Sequence, residues 1–265
     1  MVNENVLSDK IRSLLSQCAK VKGPLEPPIE PASLADLCGV LAIEHRPMIP
    51  EAVLAQVQGG FTIYLQDNFI HRPNARRRER FTIAHELVHT FYYDRNGGVP
   101  RRKRGAPRGQ TLESLCHDGA RQILVPEGLL RRELRVNGDV ASAERILRLA
   151  DMFDVSPQVI IMRLHELDVI EDPGFAAILV DAPDGGRQQI QAACYGPLLL
   201  CSAIKPKRGS DFDSWVLPLL DPKRPDEATW THKTRTATIT AKKLYRSNRS
   251  FILELRFGRA EPMLA

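Results

Sequence analysis

Two histidines and a glutamate in residues 81–91 have the types and spacing needed to activate water at a metal ion. They form His85-Glu86-Leu87-Val88-His89, an HExxH pattern. On an α-helix, residues four apart lie about 40° apart around the axis, so both imidazoles can reach one ion. Zinc accepts histidine nitrogen, and a catalytic zinc site keeps one tetrahedral position for water. Glu86 is then expected to accept the proton of the attacking water as general base.

The same two histidines could instead be an ordinary packed pair, because apolar residues recur around them at helical spacing. Those residues are Phe81, Ile83, Ala84, Leu87, Val88 and Phe91. An imidazole buried without a partner costs roughly a few kcal/mol, and a metal ion would supply the partner. We therefore expect His85 and His89 to bind zinc. Manganese is the alternative metal, because two nitrogens and a carboxylate suit several ions.

A third ligand and an oxyanion stabiliser must come from outside this helix. A second predicted helix, residues 111–125, carries Glu113 and His117 one turn apart. Glu113 is the natural third ligand, and a solvated glutamate in the first helical turn is the alternative. His117 could orient a ligand, polarise the substrate carbonyl or bind the metal, or be an ordinary half-buried histidine. Tyr92 and Tyr93 are further candidates for stabilising an oxyanion.

The elements that must position these residues are predicted to form an α+β fold, with a small sheet beside a helical peptidase domain. Helices are predicted at 8–21, 32–39 and 74–91, and strands at 40–45, 53–57 and 60–65. An edge strand of such a sheet could hold an extended peptide by backbone pairing. The glycine-containing, basic stretch 92–110 is predicted to be a long exposed loop.

Three regions are expected along the chain. Residues 1–126 would form the metallopeptidase domain, 127–171 a helix-turn-helix-like segment, and 172–265 a β-rich domain with a hairpin signal at Asp184-Gly185-Gly186. The second helix of the middle segment, 157–167, offers few residues to DNA bases and is otherwise apolar. Those residues are Gln158, Arg163 and His165. A packing hairpin is therefore favoured over DNA reading.

Composition narrows the class of protein. The net charge is +5. The five cysteines in 265 residues are scattered along the sequence, which disfavours a disulfide framework and a cysteine zinc site. With no apolar run of about 18 residues and no signal-like start, a cytoplasmic protein without membrane contact is expected. Two basic runs flank the HExxH segment and could attract nucleic acid or an acidic partner, or form a solvated face. They are Arg72, Arg76, Arg77, Arg78 and Arg80, and Arg101, Arg102, Lys103, Arg104 and Arg108.

Two motifs together resemble the ImmA/IrrE family of bacterial metallopeptidases over roughly residues 30–165. They are Arg80-Phe81-Thr82-Ile83-Ala84-His85-Glu86-Leu87-Val88-His89 and Glu113-x-x-Cys116-His117-x-x-Ala120-x-x-x-Leu124-Val125-Pro126. The resemblance implies a zincin-like fold in which His85, His89 and Glu113 bind zinc and Glu86 is the catalytic base. The sequence departs from the family by having Cys116, His117, Gly119 and Arg121 where alanine, asparagine, an aromatic and a small residue are usual. These departures leave the ligand set intact.

The resemblance also implies a biological role. Members cleave a transcriptional repressor with its own helix-turn-helix and so release stress-response genes, including those for DNA damage, or mobile-element genes. Members that respond to radiation carry a GAF-like, sensor-like domain where residues 172–265 lie here. Two alternatives to an enzyme remain open. One is a DNA-binding regulator with a vestigial peptidase fold, and the other is a toxin–antitoxin partner that acts by protein contact alone.

Overall fold

The structure is a computed structural model that describes residues 4–67, 75–135, 143–170, 176–181, 189–195, 227–231, 237–245 and 250–259. Within them the chain is α+β, with six α-helices and three sheets. It divides into two compact units. The first comprises Met1–Val136 with Asp151–Ser156, and the second comprises Asn137–Ala150 with Pro157–Ala265. The predicted α+β class is confirmed.

The elements follow each other in an order close to the prediction. The helices are α1 (Glu4–Lys22), α2 (Ala75–His89), α3 (Gly109–Leu124), α4 (Glu127–Arg135), α5 (Ala143–Phe153) and α6 (Pro157–Glu166). The strands of the first unit are β1 (Val40–Arg46), β2 (Ala52–Val57), β3 (Gly60–Gln66), β4 (Tyr93–Asp94) and β5 (Arg101–Arg102). Those of the second are β6 (Ala176–Asp181), β7 (Gln189–Tyr195), β8 (Glu227–Thr231), β9 (Ala237–Tyr245) and β10 (Ser250–Arg259).

The predicted α-helix at 32–39 is wrong, because the segment forms two 3-10 helices instead. These span Pro31–Leu34 and Asp36–Cys38. The segment is too short to propagate an α-helix in isolation, and i→i+3 bonds satisfy its backbone. It ends, as predicted, at Gly39, whose φ of 74° lies in the left-handed region that glycine adopts without strain.

The small sheet has the order β1-β3-β2, with β1 parallel and β2 antiparallel to β3. Its central strand is buried, and Phe61, Ile63 and Leu65 are fully inaccessible to solvent. Helix α2 packs against β2 and β3 on one side and against α3 on another. The sheet and α3 therefore hold the HExxH helix in place, and β1 and β2 are left as edge strands.

Helices α2 and α3 approach closely at Gly119. A Cβ atom built on Gly119 would lie 2.7 Å from Cγ2 and 2.9 Å from Cγ1 of Val88. Any larger side chain at position 119 would push α3 away from α2. Since Glu113 lies on α3 and both histidines lie on α2, this close approach sets the distance between them.

The stretch after α2 is more ordered than the predicted exposed loop. A 3-10 turn, Thr90–Tyr92, ends the helix, and Thr90 Oγ1 donates a hydrogen bond of 2.6 Å to the carbonyl of Leu87. Strands β4 and β5 then pair as a short antiparallel hairpin, with Tyr93 opposite Arg102. The Tyr93 ring contacts the Phe61 ring edge-on at 5.4 Å. The prediction failed here because it weighed glycines and charges and ignored two adjacent tyrosines that can pack.

The basic run before the HExxH motif is paired with acidic residues of the same compact unit. Arg76 Nε lies 2.9 Å from Asp154, and Arg77 contacts both Asp151 at 2.8 Å and Asp154 at 3.2 Å. The Arg80 side chain is 4% exposed, and its Nη2 donates 2.6 Å to the carbonyl of Ile29. These arginines therefore join the beginning of α2 to the end of α5, and only Arg78, which pairs with Glu51, lies apart from them. Arg72 lies outside the described residues.

Removing the charge of Asp154 should destabilise the protein more than the same change at Asp151. Asp154 has φ 49°, which asparagine tolerates, so Asp154→Asn changes the charge and keeps the backbone. We expect a loss of about 2–3 kcal/mol in unfolding free energy, because the buried Arg80 lies only 3.6 Å away. Asp151→Asn should lower the unfolding free energy by less than about 1 kcal/mol, because the Asp151 side chain is 67% exposed. Urea unfolding measures both, and equal losses would contradict this assignment.

The second unit contains α6 and a five-stranded antiparallel sheet of order β7-β6-β10-β9-β8. The β-rich prediction for this part of the chain is thereby confirmed where the chain is described. The hairpin signal at 184–186 and the apolar runs at 198–201 and 215–219 lie outside the described residues. No helix that the structure describes is long and apolar enough to cross a membrane.

The helix pair predicted to resemble a helix-turn-helix has the expected order, with α5, a turn at Asp154 and α6 beginning at Pro157. Arg163, one of its three candidate base-reading residues, is 5% exposed and pairs with Glu166 at 3.1 Å. A buried, paired arginine is not presented to DNA. This geometry favours the packing hairpin over the DNA-reading alternative.

Candidate metal centre

Helix α2 directs both histidines of the HExxH motif to one point. The Nε2 atoms of His85 and His89 lie 3.1 Å apart, and the two rings are 4.8 Å apart between centroids. His85 Nδ1 is buried and has no hydrogen-bond partner among the described residues. The polar contacts of His85 are therefore made through Nε2, the atom that faces His89.

Glu113 approaches the same point from α3. Its Oε2 lies 3.2 Å from Nε2 of His85, and its Oε1 lies 3.7 Å from Nε2 of His89. Two tetrahedral ligands, each about 2.0–2.1 Å from a zinc ion, are about 3.3 Å apart. The three separations of 3.1, 3.2 and 3.7 Å scatter around that value. The last two distances run to different oxygens of Glu113, so its carboxylate lies close to both imidazoles, and the three side chains are candidate donors to one divalent ion.

Cys116 is a competing donor, although the scatter of the cysteines along the sequence disfavoured a cysteine ligand. The ligand atoms of His85, His89 and Cys116 all lie within 4.8 Å of one another. Cys116 follows Glu113 by three residues, so both lie on one face of α3, and this spacing was the available signal. Burial, reinforced by Glu113 and Glu86, raises the pKa of the thiol. Metal binding through Cys116 would have to release the proton of this thiol, and we expect the carboxylate of Glu113 to be the third donor.

The imidazoles of the site are neutral at physiological pH. Burial lowers the pKa of His85 to about 4, and the neighbouring His89 and His117 act in the same direction. Burial also lowers the pKa of His89. A neutral imidazole has the free nitrogen lone pair that a metal ion needs.

Glu86 lies beside these donors on α2 and is 8% exposed. Burial, followed by the negative charge of Glu113, raises the pKa of its carboxyl group to about 7. A carboxylate whose pKa lies near neutrality can take up a proton and release it again within one cycle.

The raised pKa of Glu86 predicts that the metal-free protein is stabilised by Glu86→Gln above neutral pH. The folded state binds the proton of the Glu86 carboxyl group more tightly than the unfolded state does. The stabilisation that this proton gives to the folded state is therefore fully present below pH 4.5 and is lost as pH rises to about 7. Glutamine carries no charge and therefore avoids the free-energy cost of burying an ionised carboxylate. We expect the unfolding free energy of the variant to exceed that of wild type by roughly 3 kcal/mol at pH 8 and to match it near pH 4.5. Urea unfolding at the two pH values checks this, and a pH-independent difference would refute it.

The other predicted site residues differ in their position. The His117 ring lies 4.6 Å from the His85 ring and stacks on Phe81 at 5.7 Å, and the residue is exposed. Tyr92 is 5% exposed, and burial raises the pKa of its hydroxyl to about 12. The Tyr93 hydroxyl accepts a hydrogen bond of 3.2 Å from Gln56 in β2. Of the three, His117 is the one in contact with a HExxH histidine.

Arg102 is a residue near the site that the sequence analysis placed only in a basic run. Its Nη2 donates a hydrogen bond to the carbonyl of Pro107, which holds the side chain in place. Burial lowers the pKa of His89, and the charge of Arg102 adds to that effect. The pairing of β4 with β5 therefore brings a fixed positive charge close to the metal donors. Neither spacing nor charge count in the sequence could have shown it.

Comparison with known proteins assigns part of this chain to a family. Residues 69–165 match the family model "Peptidase_M78: IrrE N-terminal-like domain". A solved structure described as a Mycobacterium tuberculosis transcriptional regulator is similar at 15% identity and a TM-score of 0.43, over 95% of this chain and 75% of that one. No curated protein matches. The matched segment contains both histidines, Glu86, Glu113 and Cys116, and this match supports the resemblance to the ImmA/IrrE family that the two motifs indicated.

Proposed function

We propose that this protein is a zinc-dependent endopeptidase. The observation that carries the proposal is the convergence of three donor side chains from two helices, with Glu86 buried beside them. His85, His89 and Glu113 would hold the ion, since the two imidazole nitrogens lie 3.1 Å apart and the carboxylate of Glu113 lies within 3.7 Å of each. Manganese could occupy the same donors. A bound ion would polarise the scissile carbonyl and acidify water, which is the chemistry that peptide hydrolysis needs.

The chain's own residues would then manage the protons. Glu86 would accept a proton from the attacking water and deliver it to the leaving amine, because its carboxyl has a pKa of about 7 in the buried site. Its position directly after His85 keeps it next to the donors and off their common point. One group thus serves as base in the first step and as acid in the second.

The developing negative charge on the substrate oxygen needs a donor, and His117 and Arg102 are the best placed of the described residues. His117 is an exposed residue beside His85, and Arg102 supplies a fixed charge near His89. Tyr93 is engaged by Gln56, and the hydroxyl of Tyr92 is buried, so we rank both tyrosines below them. Substrate could pair with an edge strand of the small sheet, and β2 carries the exposed apolar residue Val53.

The substrate we propose is a transcriptional repressor with a helix-turn-helix, cleaved at one site in the cytoplasm to release stress-response or mobile-element genes. This proposal is supported by the match of residues 69–165 to the IrrE N-terminal-like domain and by the resemblance to the ImmA/IrrE family. We further propose the division into a peptidase domain at 1–126, a helical segment at 127–171 and a sensor-like, GAF-like β-rich domain at 172–265. The alternative of a DNA-binding regulator is weakened, because four arginines of the first basic run have acidic partners.

Co-expression with a repressor encoded nearby tests the proposal. Wild-type protein should generate two fragments whose masses add to the repressor plus one water, and the Glu86→Gln variant should generate none. Zinc per chain, measured on the same preparations, should be close to one for both. A metal-free wild-type protein that leaves every candidate repressor intact would overturn the proposal. A gel shift with salt titration would then test the DNA-binding alternative.

A further inference from the structure

A pocket of about 330 Å³ lies beyond the C-terminal end of α2, where none of the proposed metal donors lines it. Its walls come from α1, from the 3-10 helix Asp36–Cys38, from the turn after α2 and from the β4–β5 hairpin region. The charged residues that line it are Lys10, Asp94, Arg95 and Lys103. Three cations thus face one anion, which leaves a formal charge of +2 in a concave site.

Two of these cations are held close together by one backbone group. Lys103 Nζ donates a hydrogen bond of 3.0 Å to the carbonyl oxygen of Phe91, and Lys10 Nζ lies 3.4 Å from the same oxygen. Asp94 lies 4.0 Å from Lys103, the limit for an ion pair. One peptide oxygen and one distant carboxylate cannot neutralise two ammonium groups, so the mutual repulsion of the lysines is only partly offset.

Arg95 completes the positive side of the pocket. Its guanidinium lies against Gly39, where a Cβ atom would overlap it, and among the described residues no carboxylate pairs with it. Cys38 lines the pocket as well, and burial raises the pKa of its thiol to about 11, so the thiol adds no opposing negative charge. Burial and the charge of Lys103 both lower the pKa of Lys10, as expected for a partly buried ammonium group beside a second cation.

We propose that this pocket binds a small phosphate-class dianion between Lys10, Arg95 and Lys103. A phosphate group carries about −1.5 to −2 charges at pH 7, which matches the excess charge, and its oxygens suit both an arginine fork and ammonium groups. The volume is near the lower end of the usual range for ligand pockets, roughly 300–1,000 Å³, and suits a small ligand. The pocket does not depend on zinc or on peptidase activity.

Occupancy would join three segments that the fold brings together here. Lys10 belongs to α1, Phe91 follows His89 by two residues, and Lys103 follows Arg102 directly. A dianion would therefore fasten α1 to the segment that carries Arg102. Either free phosphate or a phosphomonoester of a small metabolite could supply this chemistry.

Isothermal titration of the full-length, zinc-loaded protein with inorganic phosphate tests the proposal, with sodium chloride at equal ionic strength as the blank. Wild type should show one saturable site. Lys10→Met and Arg95→Met should each bind at least about ten-fold more weakly. Lys20→Met removes the same charge from an exposed position on the same helix and should bind like wild type. Thermal unfolding of each variant shows whether it is folded. If Lys10→Met is not folded, Arg95→Met, which changes an exposed position, provides the test.

Each result of these titrations either supports or contradicts the phosphate site. Absence of saturable phosphate binding would overturn the proposal, and so would binding that Lys10→Met and Arg95→Met both leave unchanged, because the ion would then lie elsewhere, for example at the metal. Titration with ribose 5-phosphate distinguishes the sources. Weaker binding than phosphate identifies the free ion, and equal or tighter binding identifies an esterified ligand. Both results support the pocket, and neither depends on repressor cleavage.

Discussion

Replacing Glu86 by glutamine should lower kcat for repressor cleavage about 10²–10⁴-fold and leave the zinc content of the protein unchanged. Glutamine has nearly the same shape, so α2 and its two histidines keep their positions. It has no carboxylate that could accept a proton from water. Since Glu86 lies beside the donors and is not one of them, the metal should stay bound. Single-turnover cleavage followed by mass analysis, with zinc measured on the same sample, reports both quantities.

Glu79→Gln is the matched control for this experiment. Glu79 lies on the same helix and pairs with His45 at 3.5 Å, at a distance of two turns from Glu86. The control removes one carboxylate from α2 and should cleave at close to the wild-type rate. If Glu86→Gln cleaves as fast as Glu79→Gln, then Glu86 is not the general base and another group must move the proton.

Glu113→Gln should weaken zinc binding by more than about 100-fold, whereas Cys116→Ala should leave it close to wild type. Losing a residue that merely supports a ligand already costs about 10–100-fold in affinity, so losing a ligand should cost more. The carboxylate lies 3.2 and 3.7 Å from the two imidazole nitrogens. The neighbouring thiol is neutral before metal binds because burial raises its pKa. Competition with a chromophoric chelator measures both affinities.

The opposite order of affinities would make Cys116 the third ligand. Cobalt substitution gives an independent answer, because a cobalt–thiolate bond produces a charge-transfer absorption band that nitrogen and oxygen ligands lack. We expect that band to be absent in wild type. Thermal unfolding of the two variants, measured without metal, controls for the cavity that Cys116→Ala leaves in the buried face of α3.

The pairing of His85 with His89 was predictable from the sequence because a helix fixes the direction of residues four apart. The approach of Glu113 was predictable only in part. Periodicity gives the helix and the face on which Glu113 lies, but the distance across to α2 depends on the packing at Gly119 against Val88. The nearness of Cys116 was indicated only by its spacing from Glu113, and that of Arg102 could not be predicted, because it arises from closure of the β4–β5 hairpin.

Charge patterns in the sequence were harder to interpret than the motif. Both basic runs have the composition of a nucleic-acid surface, and counting charges cannot show which arginines have acidic partners from distant segments. The partners of Arg76 and Arg77 lie more than 70 positions away along the chain. Phe91 shows a related difficulty, since its backbone carbonyl binds two lysine side chains and leaves no pattern in the sequence.

The arginine cluster at Asp154 bears on how the chain can be shortened. A fragment that stops near residue 126 would keep Arg76, Arg77 and Arg80 and lose Asp151 and Asp154. Such a fragment should express poorly or aggregate, because the buried Arg80 would keep Glu30 as a partner and lose Asp154. The smallest autonomous piece should therefore extend past residue 156, and limited proteolysis should leave that stretch attached to the half that carries α2.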